Sequence, residues 1–416
     1  MGWNRLYPKP EGAPLLARRT SERARAAVAH RFGGRGEFCY RVPMSSPLPD
    51  AIPLAEVRRA LVTKLRHHGD VLLASPVFTA LKRAAPHAEI DALVYRETAP
   101  MLEGHPAIAR VHAIDRDWKR QGARRQVAAE WTLVRELRER RYDLLVHLTE
   151  HPRGLTLAQI LRPRYAVTRE RDDRATMWRR AFTHFYKVPA RTPRHTVETN
   201  LDALRRLGIY PDAADRRLVL LPGTDAQARI AELLAQHGLA GAPFVQVHPG
   251  SRWLFKCWPA DRMAALVDHA AARGFRVVVT GAPDERERAV VGATIAACAP
   301  ATRAALVDVV AQLTLPELAA LTAQARIFVG VDSAPMHIAA AMGTPALALF
   351  GPSDERVWGP WQVAHRVVAS DAHPCRPCHL DGCGGGKVSD CLATLPVAHA
   401  KAAFDALVAE TAGGRG

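Results

Sequence analysis

Residues 60–95 read ALVTKLRHHGDVLLASPVFTALKRAAPHAEIDALVY, and their texture changes twice. Ala60–Leu65 is a short apolar run of strand length, Asp70–Ala85 repeats apolar residues at spacings of three and four, and Glu89–Tyr95 is a second apolar run. Strand, helix and strand in that order make a βαβ unit, whose crossover demands a parallel sheet wound in the right-handed sense.

Outward from this unit the alternation continues. Ile108–Asp115 reads as a strand, Gln126–Arg141 as an amphipathic helix and Tyr142–Leu148 as a strand. An Arg-rich, less regular stretch leads to the helix-like segment beginning at His195, and residues 210–225, YPDAADRRLVLLPGTD, read as a linker. The cycle restarts at PFVQVHPG (243–250). Strands are expected in 275–282, 305–310, 325–332 and 345–351, with helices starting near Pro259, Asp284, Leu315 and Pro335. The expected fold class is α/β: two doubly wound domains in tandem, 56–215 and 216–416, facing across a cleft. Residues 1–55, basic and without sustained periodicity, are expected to be a disordered extension. Ligands of such sheets bind beyond the carboxyl ends of the strands.

A chain of 416 residues, 48% hydrophobic, exceeds one ordinary core. Its formal charge of +16 and pI near 10.1 call for a negative partner or surface. No apolar run is long enough to span a bilayer, and the first residues lack the apolar core of a secretory signal, so a cytoplasmic protein is expected. Neither a Walker lysine motif nor a G-x-G-x-x-G following a strand is present, which leaves nucleotide hydrolysis and hydride transfer without their usual marks.

Three motifs fall at expected strand ends. In KLRHHGDVLL (64–73), Asp70 stands at a helix entrance, where it either caps the helix or serves as a general base toward an acceptor hydroxyl. In HPGSRWLFKCWP (248–259), Ser251 and Lys256 could hold a departing diphosphate without a metal; a solvated lysine beside packing tryptophans is the alternative. In GVDSAPMHIAAAMGTPALALFGPSD (330–354), Asp332 and Ser333 precede a helix of small residues whose first N–H groups could meet an anion. There Ala334 would allow close approach, while His337 is either a ligand contact or a satisfied core histidine. The cysteines Cys375, Cys378, Cys383 and Cys391, in segment 373–391, begin with a C-x2-C pair and could hold one structural zinc or remain a reduced loop. Basic residues crowd 110–141, among them Arg110, Arg116, Lys119, Arg124, Arg135, Arg138 and Arg140. They suit a solvated helix face, a phosphorylated acceptor, or an anionic membrane surface.

In combination these three motifs resemble the lipopolysaccharide heptosyltransferase family, and are most similar to its type III branch, over residue 58 to the C-terminus. The resemblance implies a glycosyltransferase B fold with acceptor on the first domain and ADP-heptose on the second. It implies inverting transfer to the lipopolysaccharide inner core with no cofactor, at the inner face of the inner membrane and without a specific nucleic acid. Asp70 falls at the family's proposed base and Lys256 at its diphosphate-binding lysine; Asp332, Ser333, Ala334 and His337 fall in the donor loop. Other members often carry Thr-Gly where this chain has Ser333-Ala334. The family's ribose-binding acidic residue has candidates only in Asp284 and Glu285. Outside this reading stand a nucleic-acid-binding protein suggested by charge alone, an epimerase or a transferase of another nucleotide sugar, and a silent donor-binding homologue.

Overall fold

The computed structural model describes residues 48–120, 122–170, 175–189 and 192–412. The first lobe runs β1 (Arg59–Thr63), α1 (His68–Leu72), α2 (Ser75–Ala84), β2 (Glu89–Tyr95), β3 (Arg110–Ile114), α3 (Ala123–Glu139) and β4 (Leu144–His147). It continues through α4 (Arg153–Leu161), β5 (Tyr165–Arg169), α5 (Ala175–Ala181), β6 (His184–Tyr186) and α6 (Thr196–Arg205). After 206–223, which holds neither helix nor strand, come α7 (Thr224–Gln236), β7 (Phe244–His248), α8 (Ala260–Ala272), β8 (Arg276–Val279), α9 (Glu285–Ala297) and α10 (Pro300–Ala305). The second lobe then adds β9 (Val307–Asp308), α11 (Leu315–Gln324), β10 (Ile327–Val331), α12 (Ala334–Ala341), β11 (Ala346–Phe350) and α13 (Glu355–Trp358). Last come β12 (His365–Ala369), α14 (Asp390–Ala393) and α15 (Val397–Thr411).

Both sheets are parallel, in the orders β3-β2-β1-β4-β5-β6 and β12-β11-β10-β7-β8-β9. Counted within its own lobe, each is the 3-2-1-4-5-6 order of a doubly wound domain, reversing between its first and fourth strands. The two switch points therefore lie between β1 and β4 and between β7 and β10. Strands β1, β4, β7, β10 and β11 are buried almost throughout, as sheets covered by helices on both faces require. The two-lobed glycosyltransferase B architecture implied by the motifs is the one observed. Ile338 and Ala340 of α12 and Leu318 and Ala319 of α11 join the first lobe's largest apolar cluster, so the lobes share part of a core.

Several elements depart from the sequence expectation. The helix expected over 70–85 is broken into α1 and α2: the last turn of α1 closes from Leu73 N–H to the Gly69 carbonyl, and Pro76, lacking an N–H, opens the next helix instead of continuing the first. The Arg-rich stretch after β4 holds β5 and β6, hidden because each is short and carries few apolar residues in a row. β12 was not anticipated, and the strand expected over 305–310 shrinks to two residues because α10 occupies its start. Of the extension expected over 1–55, residues 1–47 lie outside the described residues. Residues 48–55 lie on the first lobe: Ile52 is buried, its N–H donates to the Leu207 carbonyl, and Asp50 pairs with Arg206.

Arg140 does not point into a cleft. It makes a two-pronged ion pair with fully buried Asp91 (2.7 and 3.2 Å), which also accepts from the Tyr142 hydroxyl at 2.7 Å. Burial alone would raise the Asp91 pKa, but His112, Arg140 and Tyr142 outweigh it and hold the carboxyl at about 2. Arg140 is thus a strut beneath β2. Among the described residues no helix is long and apolar enough to cross a membrane.

Candidate active site

Three loops leave the carboxyl ends of central strands and meet between the lobes. The first follows β1 and enters α1, with His67 as the N-cap residue and Asp70 inside the first turn. Asp70 therefore does not cap the helix as the sequence allowed. Its carboxylate is partly buried and, among the described residues, carries no hydrogen bond from the protein. Gly69, beside it, lies flat against the second lobe. A Cβ at Gly69 would stand 2.7 Å from His337 Cδ2 and 3.8 Å from Ala334 Cα, so only glycine lets the two loops approach this closely.

The second loop follows β7. His248, at the strand's end, bonds Thr280 Oγ1 through Nδ1 (3.0 Å) and Glu287 through Nε2 (3.0 Å), and Glu287 also accepts from the Ala282 N–H at 2.9 Å. Gly250 rests directly on the Glu287 side chain, where a Cβ would not fit. Burial pushes the Glu287 carboxyl up, yet His248 and the backbone donor bring it below its ordinary value. This buried pair seats the loop that carries Ser251. Ser251 is itself buried, its hydroxyl accepting from the Trp253 N–H at 3.3 Å. From the same loop Arg252 reaches across to His67 (3.3 Å), and Trp253 packs edge-on against the His67 ring.

The third loop joins β10 to α12. Lys256 Nζ donates to Asp332 Oδ2 at 2.6 Å, with both side chains nearly buried. Burial would raise the Asp332 pKa, but the Lys256 charge and hydrogen bond, with Ser353 and His337, lower it, so the carboxyl stays ionised. Ser333 occupies the N-cap position of α12 without bonding its first turn; its hydroxyl turns back to the Val331 carbonyl (3.3 Å). The start of α12 thus carries no side-chain cap, which leaves its dipole facing the cleft. His337 is buried, and burial pushes its pKa down to about 4 although Asp332 opposes the shift. It is neutral at physiological pH, and its Nδ1 has no hydrogen-bond partner among the described residues. An orphaned buried nitrogen beside an uncapped helix start is a place for a ligand polar group.

Asp284 and Glu285 are not brought into this group. Both are exposed at the start of α9, where the Asp284 carboxylate is occupied as the N-cap, accepting from Arg286 and Glu287 N–H groups. Glu287 is the acidic residue that faces inward. Its D-x-x-E spacing from Asp284 reads in sequence as helix capping, which is why it escaped notice.

Lys64 was also missed. It is buried after β1 and donates to the Leu148 carbonyl (3.2 Å) and to Asn200 Oδ1 (3.0 Å), while Asn200 Nδ2 donates to the carbonyl of Leu73, the residue that follows α1. Burial drops the Lys64 ammonium to about 8 against the opposing charge of Asp70. Nothing in its sequence context distinguishes it from a surface lysine.

The cysteine segment braces the site. Ser389 donates to the Phe255 carbonyl (2.6 Å), Arg376 to the Gly351 carbonyl (2.6 Å), and His379 N–H to the Pro352 carbonyl (3.0 Å), so one segment supports both the Lys256 loop and the loop after β11. Cys391 turns into the core beside Leu392 while Cys375 and Cys383 are exposed, and Cys383 Sγ accepts from the Asp390 N–H. Among the described residues no three His, Cys, Asp or Glu side chains gather at a metal-holding geometry. Of the two arrangements the C-x2-C spacing allowed, the described residues show the cysteine-bearing loop without an assembled ligand set.

Gly69→Ala is expected to wedge the loops apart at the His337 ring. Turnover should fall at least tenfold if the closed geometry is displaced by about 1 Å, with the melting temperature changed by only a few degrees; steady-state kinetics and thermal melts read the two separately.

Residues 130–388 match the family model described as glycosyltransferase family 9 (heptosyltransferase). Over 298 residues the chain is 36% identical to lipopolysaccharide heptosyltransferase 3 of Escherichia coli, covering 71% of this chain and 84% of that one. It is 30% identical over 329 residues to lipopolysaccharide heptosyltransferase 1 of Pseudomonas aeruginosa, covering 78% and 87%. Among solved structures, a family 9 glycosyltransferase from Veillonella parvula superposes with a TM-score of 0.67 at 25% identity, covering 77% of this chain and 87% of that one. The ADP-heptose lipopolysaccharide heptosyltransferase II of E. coli shares the fold at a TM-score of 0.67 and 20% identity, covering 85% and 99%. With its three loops converging as described, the chain belongs to glycosyltransferase family 9, the heptosyltransferases.

Proposed function

We propose that this enzyme transfers heptose from ADP-heptose to the inner core of lipopolysaccharide, inverting the anomeric centre and using no metal, at the anionic inner face of the inner membrane. One observation carries the reading: the Asp70 turn lies against the start of α12, beside the buried Lys256–Asp332 pair. As the glycosidic bond lengthens, negative charge grows on the ADP diphosphate. Lys256 and the uncapped N-terminus of α12 are placed to stabilise that charge, the role a metal fills elsewhere. Asp332 holds the lysine in position before the donor arrives. Neutral His337 supplies a hydrogen bond through Nδ1 without adding charge. From the opposite lobe, Asp70 takes the proton of the acceptor hydroxyl as it attacks the face away from the departing ADP, so the new C–O bond forms as the old one breaks. Gly69 and the shared apolar contact bring the lobes close enough to exclude water from this step.

The test is transfer from ADP-heptose to a heptose-bearing, truncated core acceptor, with product analysed by mass spectrometry and NMR. A mass gain of one heptose in the inverted configuration is expected. Transfer from UDP- or GDP-sugars in preference, or donor binding without product, would overturn the assignment.

A further inference from the structure

The face of α3 turned away from the core has a composition that the transfer site does not account for. Leu133 and Leu137 anchor the helix in the first lobe, and Glu130 turns aside to Arg153 at 2.8 Å. On the opposite side the helical period aligns Arg124, Val127, Trp131, Arg135 and Arg138, all exposed. Val127 and Trp131 are 68% and 66% exposed, the highest values for large hydrophobic residues among the described residues. The one carboxylate adjoining this stripe is Glu139, at its C-terminal end. Beside Trp131 a groove of about 320 Å³ is lined by Val134, Arg135, Arg138, Glu139 and Arg141. Glu139 engages Arg135 at 3.8 Å. The guanidinium groups of Arg124, Arg138 and Arg141 form no ion pair among the described residues.

An indole flanked by the unpaired Arg124 and Arg138 and by the exposed Arg135 has both components of an interfacial anchor. The indole sits at headgroup level, where its apolar body and N–H are both accommodated, and the arginines meet lipid phosphates. A free phosphate would use the arginines but give Val127 and Trp131 nothing to bury against, whereas the acyl boundary of a bilayer covers both. The stripe runs about 21 Å along the lobe. Because α3 follows β3, its first turn lies at the carboxyl-end side of the sheet, the same side as the Asp70 loop. We infer that the Arg124–Arg138 face of α3, centred on Trp131, docks on a bilayer of anionic phospholipid. Docking there presents the cleft mouth toward a membrane-borne acceptor. Only that consequence rests on the function proposed above; binding of the surface does not.

The experiment is co-sedimentation of the full chain with vesicles of phosphatidylethanolamine containing 30% phosphatidylglycerol, with phosphatidylcholine vesicles as the neutral control. Binding is expected to the anionic vesicles alone and to weaken as salt rises. Trp131→Ser should lower the partition coefficient on the order of tenfold. The triple variant Arg124→Gln, Arg135→Gln, Arg138→Gln should lower it about a hundredfold, each arginine contributing roughly fivefold. All these positions are solvent-facing, so melting temperatures should hold, and transfer to a water-soluble acceptor fragment should match the wild type. Undiminished vesicle binding by both variants would assign the contact elsewhere, for instance to the basic residues 1–47, and overturn the proposal. So would equal binding to neutral vesicles, or a self-association of the wild type that Trp131→Ser abolishes. A wild type that binds vesicles but transfers nothing to the soluble acceptor would instead count against the proposed function alone.

Discussion

Asp70→Asn should reduce turnover by about 10²- to 10⁴-fold, the range of a lost general base, while the fold and the affinity for ADP-heptose persist. Asparagine has the same shape and does not take a proton. The carboxylate carries no hydrogen bond among the described residues, so its loss leaves no protein donor unsatisfied. Its place in the first turn of α1 means that removing the charge forfeits a favourable helix-dipole contact, worth about 0.3–1 kcal/mol. A stability change of that size shifts the melting temperature by a few degrees and does not explain a collapse in rate. Single-turnover kinetics beside calorimetric titration of the donor make the comparison. Full activity in Asp70→Asn would remove the residue from the chemistry, and a lost donor affinity would move it to the binding of ADP-heptose.

The second large effect is expected at Lys256, and it falls on stability as well as function. In Lys256→Met the Asp332 carboxylate keeps its burial but loses its cation, a change that costs roughly 3–5 kcal/mol when one partner of a buried pair is removed. Donor affinity should fall ten- to a hundredfold, the scale of a charged hydrogen bond to the diphosphate. The two losses separate in the double variant Lys256→Met, Asp332→Asn, which should recover most of the stability and none of the affinity. The dependence on pH has a definite sign. In the wild type the Asp332 pKa is lowered on folding, so its contribution is complete above the unfolded carboxyl value, about 4, and disappears as pH falls through the lower folded value. In Lys256→Met burial acts unopposed by the lysine and favours the protonated acid. The stability gap between variant and wild type should therefore be widest at neutral pH and narrow on acidification, as read from urea titrations at pH 7 and near pH 4. A gap that did not change with pH would mean that Lys256 acts through packing.

Much of this could be read from the chain before its structure was known, for a physical reason. In a parallel sheet the strands are apolar on both faces and the ligand loops must follow their carboxyl ends. An apolar run followed by Gly-Asp, Pro-Gly-Ser or Asp-Ser consequently marks a cleft as well as a strand, and Asp70, Ser251, Lys256, Asp332 and His337 all lie on such loops or in the first turn of the helix that follows. What escaped depends on partners distant in sequence. Glu287 matters through His248, thirty-nine positions away, and Lys64 through Asn200, one hundred and thirty-six away; no local pattern encodes either. Arg140 resembled its neighbours in a basic run and was distinguished only by the buried Asp91 on an adjacent strand. β5 and β6 carry too few successive apolar residues to stand out from the arginines around them. The cysteine spacing suggested a ligand set, yet no metal-holding group forms among the described residues, where Cys391 is buried and Cys375 and Cys383 are exposed.

Ile338 and Ala340 belong to one lobe by sequence and to the apolar interior of the other by contact. Such a hybrid interior makes each half a cofactor for the folding of its neighbour: cut at the 206–223 connection, either fragment would leave a greasy facet open to water and invite aggregation. Heat should accordingly melt the two lobes as a single cooperative unit, and any opening that admits the sugar donor must be a small hinge about this seam, not a wide separation of independent bodies.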